Sequence, residues 1–203
     1  GQPKPPARLA NLSGRAIVGT GANILIPGFV IEGSAPRRVL IRAVGPGLAP
    51  FDVAGFLPNP RLELYSGQNS LGSNAGWNLA ANANAIRDTS AALGAFTLAE
   101  GSADSAMLVT LEPGPYTAHI SDVNQAEGIA LFEVYDAESD TAVRLVNIAV
   151  RAQVGGGEGV IIPGLVVSAG QFKRVLIRAV GPGLEQFDVR NYLRTTLLTL
   201  YAR

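Results

Sequence analysis

The sequence predicts an all-β protein made of antiparallel sandwich or barrel modules, with one short helix and an internal duplication. Short apolar, β-branched segments alternate with turns rich in glycine and proline, a pattern that is typical of strands with tight connections. One alanine-rich stretch departs from this pattern and has helical spacing. With 47% hydrophobic residues among 203, the chain is long enough and apolar enough to bury a core.

The duplication aligns residues 8–67 with residues 144–203 without a gap. About half of the aligned positions are identical, and the run RVLIRAVGPGL stands unchanged at 38–48 and at 174–184. Residues 68–143 have no second copy. An incomplete repeat leaves apolar surface and strand edges uncovered. We therefore expect the second copy to be completed by the first copy or by a segment of a neighbouring chain.

The elements follow in order from the N-terminus. Residues 1–7 contain three prolines, which fix φ and remove backbone donors, and they predict an extended arm. Strands are predicted in the first copy at RAIVG, NILIPGFVIEG, RRVLIRAV and RLELY, and in the second at RAQVG, GVIIPGLVVSAG, KRVLIRAV and LLTLY. The Pro-Gly pairs at 27–28 and 163–164 lie within strand segments and predict a bulge or bend.

Residues 68–143 are predicted to form a β-sandwich segment that carries the short helix. Apolar residues at helical spacing place the helix within residues 79–93, and Trp77 precedes it as a packing anchor. Four more strands are predicted at AFTLA, SAMLVTL, YTAHISDV and GIALFEVYD. In the last of these, strand alternation puts Ile129 and Tyr135 on one face and Phe132 on the other.

The two GPGL sequences predict tight turns. They lack the Lys-Ser/Thr step and the following helix of a phosphate loop, so their glycine content alone does not indicate nucleotide binding. The turn residues are Gly45, Pro46, Gly47, Gly181, Pro182 and Gly183.

An arginine recurs within the apolar RVLIRAV strand of each copy. Arg42 precedes Asp52, and Arg178 precedes Asp188, by ten residues in both cases. A partly buried guanidinium needs a carboxylate or several carbonyls to offset its desolvation, so a structural ion pair is predicted in each copy. The alternative is an outward-facing arginine that grips an anionic sugar or a partner's carboxylate.

Candidates for metal binding and catalysis are weak. Asp136, Glu138 and Asp140 alternate at oxygen-ligand spacing, but they lack the glycine and the terminal glutamate of an EF-hand. His119, the single histidine, has Asp104 and Asp122 as potential partners, without a nucleophile motif. Glu63 and Glu133 resemble a glycosidase pair only in being two carboxylates. We expect no catalytic residue, no bound metal and no cofactor.

Composition excludes several classes of partner. Sixteen basic and sixteen acidic residues balance, so no long-range field attracts nucleic acid. The chain has no cysteine, and its apolar runs are shorter than the ~20 residues of a membrane span. We expect neither nucleic-acid binding nor membrane insertion.

Longer stretches resemble a known type of repeat. Residues 144–189, together with GSADSAMLVTLEPGPYTAHISD and ALFEVYDA, resemble an uncharacterised glycine-rich β repeat of large secreted or surface proteins of Verrucomicrobia-type bacteria. The resemblance spans almost the whole chain and implies an extracellular or cell-surface module used in multiples, without a known activity. The chain departs from the pattern at SNAGWN, where similar repeats have an Asn-Asp-rich turn, and at FDV (51–53 and 187–189), where they have Phe-Gly-Val.

The incomplete second copy and the resemblance together favour a non-enzymatic, extracellular structural subunit. We expect it to assemble with copies of itself, head to tail, by β-strand complementation into a filament. The N-terminal arm is the candidate donated strand. The alternative is a monomeric cell-surface binding or spacer module whose ligand is a polysaccharide.

Overall fold

The computed structural model describes residues 7–138, 143–168 and 172–201. The chain divides into two compact units, and the division falls between Gln171 and Phe172. The predicted N-terminal arm therefore lies, except for Ala7, outside the described residues.

The first unit is an antiparallel, nearly closed, barrel-like sheet, which confirms the all-β fold class. Its path is β5-β4-β7-β2-β9-β1-β8-β3-β6, and β10 pairs with β1 beside this path. The strands are β1 (Leu9–Val18), β2 (Ile26–Glu32), β3 (Arg37–Val44), β4 (Pro60–Ser66), β5 (Asn69–Asn74), β6 (Ser105–Leu111), β7 (Gly114–Asp122), β8 (Gly128–Asp136), β9 (Arg144–Arg151) and β10 (Ile162–Val167).

Strand β8 carries a core on each of its two faces, as the alternation of its sequence predicts. Ala130, Phe132 and Val134 point into the core enclosed by the sheet. Tyr135 belongs to a second core on the outer face of the sheet, and Ile129 packs against that core. A strand that is buried on both faces explains why GIALFEVYD is almost continuously apolar.

The outer core is covered by the predicted helix, α1 (Ala83–Ala92), and by Trp77. Trp77 is 2% exposed, and its indole Nε1 donates to the carbonyl O of Ala99 (3.1 Å) and to Ser102 Oγ (3.2 Å). Ile86 is the residue of α1 that packs beside it. The predictions of one short helix and of a tryptophan anchor are both confirmed.

Several local predictions are wrong. AFTLA (95–99) is not a strand but a loop that packs Ala95 and Leu98 into the outer core. Strand β5, which the sequence analysis missed, pairs with β4 through a two-residue turn in which Gly67 has φ 59°. The Pro27-Gly28 and Pro163-Gly164 pairs sit in regular register, and the register shifts occur elsewhere, between Val30 and Ile31 and between Leu9 and Asn11.

The second unit contains no strand among residues 172–201. KRVLIRAV and LLTLY, predicted as strands, have no regular secondary structure and no sheet partners among the described residues, although RRVLIRAV and RLELY form β3 and β4 in the first copy. The difference arises because strand formation depends on cross-strand and same-face neighbours more than on sequence propensity. In the described part of the chain, no helix is long and apolar enough to cross a membrane.

Candidate assembly surface

The strands of the two copies pair reciprocally, in the same register. Arg15 of β1 lies opposite Ile162 of β10. The equivalent residues of the other copy, 136 positions away, are Arg151 of β9 and Ile26 of β2, and they also lie opposite each other. The match continues along both strand pairs and includes the register shift near their ends. The first half of each copy therefore completes the first half of the other.

The first edge of each of these strands pairs with the other copy, and the second edge is the opposite one. The second edges of equivalent strands have different partners in the two copies. In the first copy, the second edge of β1 pairs with β8 and the second edge of β2 pairs with β7. In the second copy, β9 meets β1 only at Leu145, opposite Leu9, and β10 pairs with β1 alone among the described strands. We call the second edges of β9 and β10 the open edges.

Side chains of β10, beside its open edge, are exposed where their counterparts in β2 are buried. Phe29 of β2 is 1% exposed, whereas Leu165 at the same place in β10 is 40% exposed. Ile31 of β2 is 2% exposed, and the equivalent Val167 of β10 is 37% exposed. Exposed main-chain donors and acceptors flanked by apolar side chains form a template for strand addition.

The second unit shows the same contrast more strongly. Leu40 lies on β3, between β6 and β8, and is fully buried in the outer core, whereas the equivalent Leu176 is 85% exposed. Leu64 and its equivalent Leu200 are 0% and 75% exposed. The same sequence is thus a buried core strand in one copy and an uncovered apolar segment in the other.

The predicted GPGL turns are confirmed in both copies, and their geometry is nearly identical. Each forms a short 3-10 helix, Pro46–Phe51 and Pro182–Phe187, preceded by a glycine with similar backbone angles. At both glycines a Cβ would overlap a carbonyl oxygen, that of Leu57 or that of Leu193. The turn therefore forms without strand pairing, because its constraints are local.

Arg42 forms the predicted structural ion pair, but the predicted partner is wrong. Its Nε donates to Glu133 Oε2 over 2.8 Å, and its Nη1 donates to the carbonyl O of Phe96 over 2.7 Å. Nη2 lies 2.8 Å from the same glutamate oxygen without hydrogen-bond alignment. The guanidinium also stacks over the Phe96 ring at 4.4 Å.

Asp52 recurs for a different reason. It ends the 3-10 helix with a left-handed backbone, φ 56°, and is exposed. Asp188 has the same φ at the end of the second turn. Aspartate is among the few non-glycine residues that tolerate this conformation, so the ten-residue spacing reflects the turn and not an ion pair.

Arg178 is the exposed counterpart of Arg42. Among the described residues, its side chain has neither an ion pair nor a hydrogen bond, and Asp188 is not its partner. The prediction of a structural ion pair in the second copy is therefore wrong for the residues that the structure describes. Its physical reason is that Glu133, the partner of Arg42, has no equivalent within residues 172–201.

Asp136, the first residue of the candidate calcium site, forms ion pairs with arginines. Arg37 donates to both oxygens of Asp136, from Nε over 2.6 Å and from Nη2 over 2.8 Å, and Arg8 adds a third bond over 2.7 Å. The same two guanidinium groups donate to the carbonyl O of Glu138. Asp140 lies outside the described residues. The Asp136 carboxylate thus neutralises arginines at the end of β8 and is not available to a cation.

His119 and the carboxylates proposed for it do not form a catalytic set. His119 lies opposite Glu63 on β4, and its ring contacts that of Tyr65 at a tilt of 37°, with ring centroids 4.6 Å apart. Asp104 accepts from the backbone amides of Gly45 (2.8 Å) and Gly47 (3.1 Å) instead. Asp122 accepts from backbone amides as well, among them that of Asn59 at 2.8 Å.

Glu63 and Glu133 also lie in different surroundings. Glu133 is buried beside Arg42, whereas Glu63 is on the outside of β4, where Ser70 Oγ donates to it over 3.4 Å.

A shallow cleft of about 60 Å³ is lined by Trp77, Arg87 and their neighbours. This volume is far below that of ordinary small-molecule sites.

Comparisons of the chain with protein-family models, with curated proteins and with solved structures found no match.

Proposed function

We propose that this protein is a non-enzymatic, extracellular structural subunit that joins copies of itself head to tail, by β-strand complementation, into a filament. One observation carries the proposal. β9 and β10 repeat the pairing of β1 and β2 on their first edges but lack, within the described residues, the strands that β8 and β7 provide on the second edges.

The physics of an open strand edge supports this proposal. Main-chain hydrogen bonds give affinity in strand addition, and alternate side chains give specificity. β10 supplies both, because its unpaired edge is flanked by the exposed side chains of Leu165, Val166 and Val167. A contact between an open edge of one copy and a different surface of the next copy is heterologous, and repetition of such a contact produces a ring or a filament.

The charge distribution is compatible with close association. The chain has a formal net charge of zero, so copies do not repel one another at long range. The non-enzymatic part of the proposal is supported by the candidate catalytic groups, since Asp104, Asp122 and Glu133 are all engaged in structural bonds. The extracellular location rests on the sequence resemblance alone.

The carbohydrate-binding alternative receives less support. A sugar-binding groove requires exposed aromatic faces, and Trp77 is buried in the outer core with its indole nitrogen bonded. Tyr116 and Tyr135 are buried as well, whereas Tyr201, in the second unit, is 84% exposed.

The experiment compares two variants that add one lysine each at an equally exposed valine. Val166→Lys places the charge beside the open edge of β10, and Val123→Lys places it in the turn after β7; both valines are 52% exposed. Light scattering and negative-stain electron microscopy are expected to show filaments for the unmodified chain and for Val123→Lys, and shortened or absent filaments for Val166→Lys. Lysine on an edge opposes further pairing.

Deletion of residues 1–6 tests whether the N-terminal arm is the donated strand. This deletion stops short of β1, which begins at Leu9 and packs into the core. Loss of filaments on deletion identifies the arm as the donor. A monodisperse monomer of 21.1 kDa for the unmodified chain, at every concentration tested, contradicts the proposed function.

A further inference from the structure

We propose that residues 172–201 are a docking segment for a β-strand that carries a carboxylate opposite Arg178. The inference deepens the proposed function and rests on its mechanism, strand complementation. It specifies the chemistry of the occupant: a polypeptide segment that alternates apolar side chains and contains a glutamate at the position that Glu133 has in β8.

The covered form of this segment exists within the same molecule. Residues 38–48 and 174–184 are identical, and the first of these runs is buried between β6 and β8. Val39, Leu40 and Val44 are fully buried, while their counterparts Val175, Leu176 and Val180 are 41%, 85% and 44% exposed. Because the two runs are identical, the apolar side chains of residues 174–184 gain as much from burial as those of residues 38–48.

The positive charge of the arginine in this segment also restricts the strand that can cover it. Arg42 is buried only together with Glu133, whose second oxygen accepts from Tyr135 Oη at 2.7 Å. Burial of a guanidinium without a counter-charge is strongly unfavourable, because the desolvation of the charge is not offset. A strand that covers Leu176 also buries Arg178, and so it must provide an acid at that point.

A second copy of the chain and a separate polypeptide are two sources of such a strand. β8 of this chain is already paired on both edges, with β1 and with β3. A second copy can therefore donate β8 only if its own β3 is displaced, and such an exchange leaves the total number of strand pairs unchanged. A separate polypeptide adds a new pair, and it is the source that we favour.

The test uses the full chain and a fluorescent peptide of residues 128–138, GIALFEVYDAE, which carries the chemistry of β8. Binding is followed by fluorescence anisotropy. We expect Arg178→Glu in the protein, or Glu133→Lys in the peptide, to weaken binding about tenfold or more, because each change replaces a charge-assisted hydrogen bond with repulsion. The combination of both changes is expected to restore binding.

Arg174→Glu is the matched control, because it makes the same charge change in the same segment. Its counterpart Arg38 is exposed and donates to Thr89 Oγ1 over 3.1 Å, and it contacts no carboxylate among the residues that the structure describes. We therefore expect Arg174→Glu to retain peptide binding within about twofold.

Three outcomes overturn the inference: no binding up to about 1 mM peptide, equal losses for Arg178→Glu and Arg174→Glu, or no restoration by the paired reversal. These outcomes are separable from failure of the proposed function. Filaments without peptide binding contradict the docking segment alone, whereas Arg178-dependent binding by a chain that stays monomeric contradicts filament formation alone. A third result is that the peptide dissolves the filaments and that this effect requires Arg178. It would identify a second copy as the source of the strand, in place of a separate polypeptide, and would support the docking segment.

Discussion

Arg42 of β3 and Glu133 of β8 lie directly opposite each other on adjacent strands and form an ion pair that is almost completely removed from solvent. The arginine side chain is fully buried, and that of the glutamate is 7% exposed. Tyr135 Oη donates to the other glutamate oxygen, so both carboxylate oxygens are bonded. This small polar group lies within the otherwise apolar outer core and fixes the register of β3 on β8.

Glu133→Gln is expected to lower the free energy of unfolding by about 3–5 kcal/mol, because it leaves a buried guanidinium without its counter-charge. Urea unfolding measures the change. Glu32→Gln provides the control, since Glu32 forms an exposed pair with Arg144 at 2.7 Å and should cost at most about 1 kcal/mol. Equal effects of the two changes would mean that the Arg42 pair contributes no more than a surface pair.

The double variant Arg42→Met/Glu133→Leu is expected to recover most of the stability lost in Glu133→Gln. Replacement of a buried ion pair by apolar groups of similar volume is often neutral or stabilising, since both desolvation penalties disappear. A double variant that is as unstable as the single one would show that the pair contributes packing that methionine and leucine do not reproduce. The measurement is again urea unfolding.

Gly45→Ala is expected to destabilise the first unit by about 1–3 kcal/mol, as overpacking does. The new Cβ overlaps the carbonyl O of Leu57, and a main-chain atom cannot move aside as a side chain can. Gly156→Ala is the control, because it has an ordinary φ of −88° and open space around its Cβ. Thermal unfolding of both variants, compared with the unmodified chain, checks the difference.

Features encoded locally were predictable from the sequence. The GPGL turns, helix α1 and the alternation along β8 depend mainly on residues nearby in the sequence, and all three are confirmed. The partner of Arg42 was not predictable, because Glu133 lies 91 residues away and only the strand register brings the two together. Asp52 was nearer in sequence and misled the prediction.

The most instructive failure concerns an identical sequence in two states. RVLIRAV is a strand at 38–44 and unpaired at 174–180, so no rule based on these residues alone assigns both correctly. The deciding factor is the presence of β6 and β8 beside one copy.

Asp104→Ala is expected to lower the free energy of unfolding by about 1–3 kcal/mol or more, because it leaves buried donors without an acceptor. Its carboxylate accepts from the amides of Gly45 and Gly47 and from Ser102 Oγ, at 2.8–3.1 Å. Asp88→Ala, at an exposed position of α1, is expected to change stability by less than about 0.5 kcal/mol. A small effect of Asp104→Ala would indicate that water replaces the carboxylate.

His119 offers a titration that a single resonance can follow, since it is the only histidine of the chain. Partial burial lowers the pKa of His119 below its ordinary 6.5, Glu63 opposes this effect and Arg151 adds to it. The unfolded chain therefore binds the proton more readily than the folded one. Between the folded and the unfolded pKa, stability falls as the pH falls. Above 6.5, both states are neutral at His119 and its contribution no longer changes.

Nuclear magnetic resonance of the imidazole across pH 4 to 8 is expected to give a pKa below 6.5. Glu63→Gln is expected to lower that pKa further, because the carboxylate that favours the imidazolium is removed, and Arg151→Gln is expected to raise it. His119→Gln should remove the corresponding loss of stability in urea unfolding below pH 6.5. An imidazole pKa above 6.5 would show that burial against β4 is not the dominant influence on this histidine. A rise of the pKa on Glu63→Gln would show that the Glu63 carboxylate does not stabilise the imidazolium.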